Sequence, residues 1–382
     1  MSKKKQLGQF YTTDRELLET ISNFILNVTG NILEPSCGEG HIVKYVIDNK
    51  KCKRKWSVIE IDKTIEPLNI PLVDFTHDNF LTHSFSTSFS TIVGNPPYVK
   101  ERGKLNMYLR FIEKCLELLV QDGELIMIVP SDFLFCTTGS RLRNEMISRG
   151  SFTHIHRPNA ESLFKGATQD VIVFRYQLGI HVDYCVYNKS RRRVCTNDCI
   201  LYFTSNNTTQ MVKDFFKVRV GMISGRDNVF RHDELGTHVF LSRGGTRRKY
   251  ILVEEFPTVN NELNKYLLTH KSELMSRRIS KMTEKNWFKW GAIRNYDFMK
   301  DNPKQCLYIE TLTRDDVIAR IAPSGFFDGN LLCLEPISNE INLQVFCDYF
   351  NSKKFIEYYK QAGRFKMGQK ILSNAPVFID NV

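Results

Sequence analysis

The chain has 382 residues, 42% of them hydrophobic and 25% charged, a globular balance long enough for two domains. No run approaches the roughly 20 apolar residues that span a bilayer, and Met1-Ser2-Lys3-Lys4-Lys5 leads into polar residues rather than an apolar signal core, so a cytosolic protein without a membrane partner is expected. The formal charge of +11, from 53 basic against 42 acidic residues, favours a polyanionic partner without identifying it, because nucleic acids and anionic membrane surfaces attract the same charge.

Residues 14–27 place Leu17, Leu18, Ile21, Phe24 and Ile25 on one side at helical spacing. Short apolar runs at 31–34, 56–60, 91–94 and 125–129 end at Glu, Gly or Pro, as buried strands do where they meet loops. Between the last two lies the strongest helical pattern, residues 104–121, where Leu105, Tyr108, Leu109, Ile112, Leu116 and Leu119 recur and Asp122-Gly123 provides the stop. Strands alternating with helices predict a mainly parallel, doubly wound α/β sheet, whose ligands lie beyond the carboxyl ends of the strands. The rhythm fades after residue 205, and the polar stretch 204–209 reads as a linker. The expected domains are 1–205 and 206–382, the second α+β. Ten cysteines are scattered from Cys37 to Cys347, and only Cys195 and Cys199 are closely spaced; they read as reduced thiols, with no metal site expected.

Leu33-Glu34-Pro35-Ser36-Cys37-Gly38-Glu39-Gly40 follows a strand and opens a helix, so Gly38 and Gly40 allow close backbone approach to a ligand. Such turns also serve nucleotides and phosphates. Glu60, at the end of the next strand, is the acid that can accept hydrogen bonds from ribose hydroxyls. The missing third glycine argues against a dinucleotide, and the absence of Lys or Arg from the turn leaves nothing for a pyrophosphate. Glu34 instead suits the positive amino group of a methionine moiety. For the adenine amino group there are two candidates, Asp78 in Asp78-Asn79-Phe80-Leu81 and Asp74 in Asp74-Phe75.

Asn95-Pro96-Pro97-Tyr98 follows the strand that ends at Gly94. Two prolines fix their φ angles and donate no backbone hydrogen bond, so the Asn95 side chain and the Pro96 carbonyl become rigid acceptors. That answers a chemical need, since the exocyclic amine of adenine is a poor nucleophile while its lone pair is delocalised into the ring. Accepting both amine hydrogens favours a pyramidal nitrogen able to attack a sulfonium methyl in line. Tyr98 is expected to stack on the base.

These motifs, in this order, resemble those of N6-adenine DNA methyltransferases of the TaqI type. The resemblance implies the Rossmann-like class I methyltransferase fold, S-adenosylmethionine as cofactor, and a target recognition domain after the catalytic one. Gly8-Gln9-Phe10-Tyr11-Thr12 is similar to the family's opening segment, which implies contacts from Tyr11 and Thr12 to the methionine end of the cofactor. Pro35, Ser36 and Cys37 belong to its cofactor loop, Glu60 with Ile61 to its ribose site, and Asp78, Asn79 and Phe80 to its adenine site, while Asn95 and Pro97 adjoin both cofactor and target. In Asp170-Val171-Ile172-Val173-Phe174-Arg175-Tyr176 the resemblance implies a second aromatic against the target base, Tyr176 first and Phe174 behind it. It also implies base flipping, double-stranded DNA as the partner, and a role in restriction-modification beside an endonuclease of the same site that it need not touch; one recognition domain per chain leads to the expectation of a monomer. Adenine in RNA is a rival substrate, and a catalytically silent specificity subunit a rival class.

Residues 220–230, containing Arg226, resemble the segment that opens the recognition region. Arg243, Arg247 and Arg248, then Arg314, then Arg364 and Lys366 stand in clusters of cations with polar or flexible residues, which suit phosphate and groove contacts. Residues 189–193 read as a surface loop, and Trp287 and Trp290 as core.

Overall fold

Asp14 caps α1 (Arg15–Phe24), its carboxylate accepting from the Leu17 amide at 3.0 Å, one of the donors that a helix start leaves without an intrahelical partner. Leu17 and Ile21 are fully buried on one stripe, and the backbone becomes extended at Ile25, short of the expected end. The computed structural model describes residues 11–50, 53–99, 105–158, 170–197, 200–204, 210–279, 281–301, 304–361 and 363–379. Gly8, Gln9 and Phe10, Cys199 and all of the expected linker except Thr204 lie outside them. The chain divides into two compact units, residues 1–207 and 208–382.

In the first unit, β1 (Ile32–Glu34), α2 (His41–Lys50), β2 (Trp56–Glu60), β3 (Val73–His77), β4 (Phe89–Gly94), α3 (Met107–Leu118), β5 (Leu119–Pro130), α4 (Ser140–Arg149), β6 (Gly150–His156) and β7 (Val171–Leu178) follow in order. The sheet runs β3-β2-β1-β4-β5-β7-β6 and continues through β8 (Tyr184–Tyr187), β9 (Ser190–Asn197) and β10 (Ile200–Thr204). β1 to β5 are parallel, while β7 is antiparallel to both β5 and β6. Leu125 to Val129 are all buried, which explains the unbroken apolar run: a strand covered on both faces has no polar side. α3 stops earlier than its periodicity predicts because Leu119 already pairs with Phe89; Asp122, at φ +62°, lies in the irregular stretch of β5 where its register against β4 shifts.

The strand order reverses between β1 and β4, so the loops leaving them diverge to opposite faces and open a crevice at their carboxyl ends. Both singled-out motifs begin there. The amino ends are closed by a buried polar knot. Glu124 accepts from the Leu26 and Asn27 amides at 3.1 and 3.0 Å, from Thr91 Oγ1 at 2.9 Å and from Arg175 Nε at 2.9 Å.

The second unit contains β11 (Phe216–Val220), β12 (His238–Leu241), β13 (Arg247–Tyr250), β14 (Gln305–Glu310), β15 (Leu312–Thr313), β16 (Ala319–Pro323), β17 (Leu331–Pro336), β18 (Lys360–Gln361) and β19 (Arg364–Lys366). The central sheet is antiparallel in the order β11-β17-β14-β16, and β12 pairs with β13. With its short helices the unit is α+β. Phe240, Tyr250, Trp287, Trp290 and Phe327 lie in one core, and Trp290 satisfies its indole N–H on the Ile251 carbonyl at 2.7 Å. No helix among the described residues is long and apolar enough to cross a membrane.

Candidate active site

The turn after β1 is shaped by backbone bonds from Cys37 N to Ile59 O at 3.1 Å and from Gly40 N to Cys37 O at 3.0 Å. Gly38 has φ +53°, and a Cβ there would stand 2.7 Å from the Tyr11 ring; only glycine lets that ring close over the turn. Glu60, at the end of β2, accepts from the Gly38 and Asp62 amides at 2.8 Å each. Each carboxylate oxygen keeps a second acceptor position for a ligand.

Glu34 is 1% exposed, and its Oε2 has no hydrogen-bond partner. Burial, and then the neighbouring Glu60, push its carboxyl well above the ordinary carboxylate range, against a lowering bond from the Val43 amide. A buried, half-satisfied acid is costly unless a partner arrives.

Asp78 lies just beyond β3. It accepts from the Asn79 amide at 2.7 Å and stands 2.7 Å from His83 Nδ1; His83, then Asn79, hold its carboxyl below the usual range. Phe80 is buried against Phe111, and Lys114 Nζ donates to the Phe80 and His83 carbonyls at 2.5 Å each.

These pieces enclose a cavity of about 440 Å³. Tyr11, Thr12, Glu34, Pro35, Ser36, Cys37, Gly38, Glu60, Ile61, Asp78, Asn79, Phe80, Asn95 and Pro97 all line it. The exposed Asp74 on β3 does not, so Asp78 is the acid at the cavity. Gly40 does not line it either; its lack of a side chain makes room for Leu68. His41, Ile42, Leu81, Thr82, Val99, Met107, Arg110 and Phe111 complete the wall, and sequence reasoning misses them. Met107, Arg110 and Phe111 share a face of α3 by their spacing, but periodicity alone does not say what that face meets.

Asn95 leaves the carboxyl end of β4. Its Nδ2 donates to Thr12 Oγ1 at 3.1 Å, its Oδ1 accepts from the Tyr98 hydroxyl at 2.6 Å, and its carbonyl accepts from Ser36 Oγ at 3.3 Å. The first two bonds set the amide orientation: with nitrogen committed to Thr12, the oxygen faces the opposite way. Tyr98, expected to stack on the base, does not line the cavity. Its hydroxyl lies within 3.1 Å of the Ile128 carbonyl as well as reaching Asn95, and burial raises its pKa well above the ordinary phenol value. Pro96, between the two lining residues Asn95 and Pro97, is itself buried.

Tyr176 is also placed differently from the expectation. It is fully buried, donates to the Met146 carbonyl at 2.8 Å and packs against Phe152. Phe174, two residues away on the same face of β7, stacks on Phe133 with centroids 5.5 Å apart. Both rings belong to the core because their face of β7 is covered by α4, which carries Met146, and by the turn that carries Phe133, and neither lines the cavity.

In the second unit Arg243, Arg247, Arg314, Arg364 and Lys366 are exposed, and Arg364 and Lys366 flank the buried Phe365 on β19. Arg248 is half-buried, and so is Arg226, whose Nε lies 3.3 Å from Glu273. Among the described residues no group of three or more His, Cys, Asp or Glu could hold a metal ion.

An open sheet with this strand order, an antiparallel β7 and acids ending β1 and β2 is the Rossmann-like fold of class I methyltransferases. The family model of the Eco57I restriction-modification methylase matches residues 39–164. The type II methyltransferase M.MjaIV of Methanocaldococcus jannaschii is 30% identical over 214 residues, 45% of this chain and 68% of that protein. M.HindII of Haemophilus influenzae is 24% identical over 395 residues, 80% of this chain and 74% of the relative. M.HincII of Haemophilus influenzae is 30% identical over 203 residues, 48% of this chain and 39% of the relative. The chain belongs to the type II restriction-modification methyltransferases.

Proposed function

We propose that the protein is a site-specific DNA adenine N6-methyltransferase of the TaqI type, acting as a monomer on an adenine turned out of duplex DNA. The observation that carries this reading is that Asn95 stands in the wall of the same cavity as Glu34 and Glu60.

The cavity suits S-adenosylmethionine, which when bound supplies an electrophilic methyl on a sulfonium. The orphaned Oε2 of Glu34 is a ready partner for the methionine ammonium, and Glu60 takes the ribose hydroxyls with its remaining acceptor positions. Asp78 accepts from the adenine amino group, with Phe80 beside the ring. Thr12 keeps the Asn95 amide oriented, so that Oδ1 is the atom offered to a donor. The target amine donates one hydrogen to that oxygen and the other to the Pro96 carbonyl, and Tyr98 must yield its bond to Asn95 as the amine arrives. Asn95 and Pro96 thereby hold the nitrogen pyramidal and aim its lone pair, catalysis by positioning and by fixed dipoles. Extruding the base costs a few kcal/mol of stacking and pairing, which contacts around the flipped nucleotide offset. The cationic second unit is the DNA target recognition domain, supplying phosphate contacts, and the biological setting is restriction-modification beside an endonuclease of the same specificity.

The test is to express the protein in a host lacking adenine methylation and sequence its DNA with modification-sensitive reads. N6-methyladenine confined to one short motif is expected. Methylated cytosine, or methylation of RNA alone, refutes the assignment.

A further inference from the structure

Glu310 ends β14 with its side chain 1% exposed, yet it serves cations rather than the core. Its Oε1 accepts from Arg320 Nη1 and from the Gly244 amide, each at 2.9 Å, and its Oε2 lies 3.2 Å from Arg243 Nε. The two arginines come from different elements, Arg320 from β16 and Arg243 from the turn between β12 and β13. Their side chains remain 32% and 45% exposed. A buried carboxylate thus braces two half-exposed guanidiniums, and the trio keeps one surplus positive charge. Bracing matters because an arginine loses less ordering entropy per bond when its planar fork is already fixed.

The turn that carries Arg243 is bare. Gly244 and Gly245 have φ +70° and +73°, a Cβ on Gly244 would meet nothing within 4 Å, and the Arg320 stem passes 3.1 Å from where a Cβ of Gly245 would stand. A flat base edge can therefore approach the backbone closely. Glu310 Oε2 meets Arg243 at Nε as a charge contact without a hydrogen bond, which leaves the two terminal amino groups as a parallel donor pair. That pair matches the O6 and N7 acceptors of guanine in the major groove. Arg247, Arg248 and Lys249 follow on β13 and supply cations for the flanking phosphates.

We infer that Arg243, braced by Glu310 beside Arg320, reads a guanine in the DNA site. The inference rests on the proposed DNA methyltransfer and adds a residue-level determinant of specificity to it. Glu310 and Arg320 are positioning residues.

The test uses the full-length protein on duplex DNA containing a randomised segment, with the methylated fraction sequenced. The unaltered enzyme should require guanine at a position where Arg243→Ala relaxes the preference by about 10- to 100-fold, with preferences elsewhere intact. Arg243→Lys, which keeps the charge but loses the planar fork, should relax the same position, and Glu310→Gln should relax it more weakly. Thermal melting identifies any variant that fails to fold, and Arg243→Lys then carries the test. If Arg243→Ala and Arg243→Lys leave the motif unchanged, or if Arg243→Ala depresses all sequences equally as a phosphate contact would, the guanine assignment is overturned. No methylated DNA from the unaltered protein refutes instead the methyltransfer reading beneath it, a separate outcome.

Discussion

Glu34→Gln should move two properties of the protein in opposite directions. In the empty protein, burial and Glu60 hold the Glu34 carboxyl well above its ordinary range, so across that interval the folded state keeps a proton that the unfolded chain has already released. Stability therefore falls as pH rises from the unfolded value to the raised one, by about 1.4 kcal/mol per pH unit, and the loss is complete above the raised value. The neutral amide removes this penalty, so the empty variant should melt at higher temperature than the unaltered protein in solutions above the carboxylate range. Ligand binding should respond the other way. Removing one charge of a buried, hydrogen-bonded pair costs about 2–3 kcal/mol when an isosteric polar group remains, or about 30- to 150-fold in Kd for S-adenosylmethionine. Calorimetric titration and ligand-free thermal scans at a series of pH values, from the ordinary carboxylate range upward, measure both. A variant that binds as tightly as the parent, or that is no more stable when empty, refutes the pairing assigned to Glu34.

Asn95→Ala should abolish methyl transfer while S-adenosylmethionine affinity stays within about threefold, since the residue touches the cofactor cavity only at its wall; single-turnover assays beside calorimetry separate the two effects. Glu124→Ala should cost about 3–5 kcal/mol in urea denaturation, because it leaves the 3%-exposed Arg175 without its counter-charge and strips the Leu26 and Asn27 amides of their acceptor; a loss below about 1 kcal/mol contradicts the knot's structural role. Tyr176→Phe should cost only about 1 kcal/mol for one buried hydrogen bond and leave the methylation rate unaltered. A large rate loss in a folded Tyr176→Leu variant, which removes the ring as well, would restore the base-stacking role that the burial of Tyr176 denies it.

Much of the first unit was legible in the chain because its signals are local. The Asp14 cap, the apolar stripe of α1, the strand run at 125–129 and the Glu-turn-helix after β1 depend on neighbouring residues, and a doubly wound sheet turns their order into position. Glu34, Glu60 and Asn95 could be assigned to one site from linear order, since strand ends at a switch point converge whatever the loops between them do. Tertiary structure alone decided what each surface faces. Tyr176 and Phe174 look the same in sequence as aromatics at a pocket, yet α4 and the turn carrying Phe133 cover their face of β7 and make them core. Asp74 and Asp78 differ only by where β3 ends, and the fold gives the cavity to Asp78. Tyr98 bends back to Asn95, a choice made by the Ile128 carbonyl on a neighbouring strand. The Glu310 brace is the extreme case, with Arg243, Glu310 and Arg320 brought together from three separate stretches of chain: alternation and spacing report which residues share an element, but long-range pairing of charges appears only when the strands have been laid side by side.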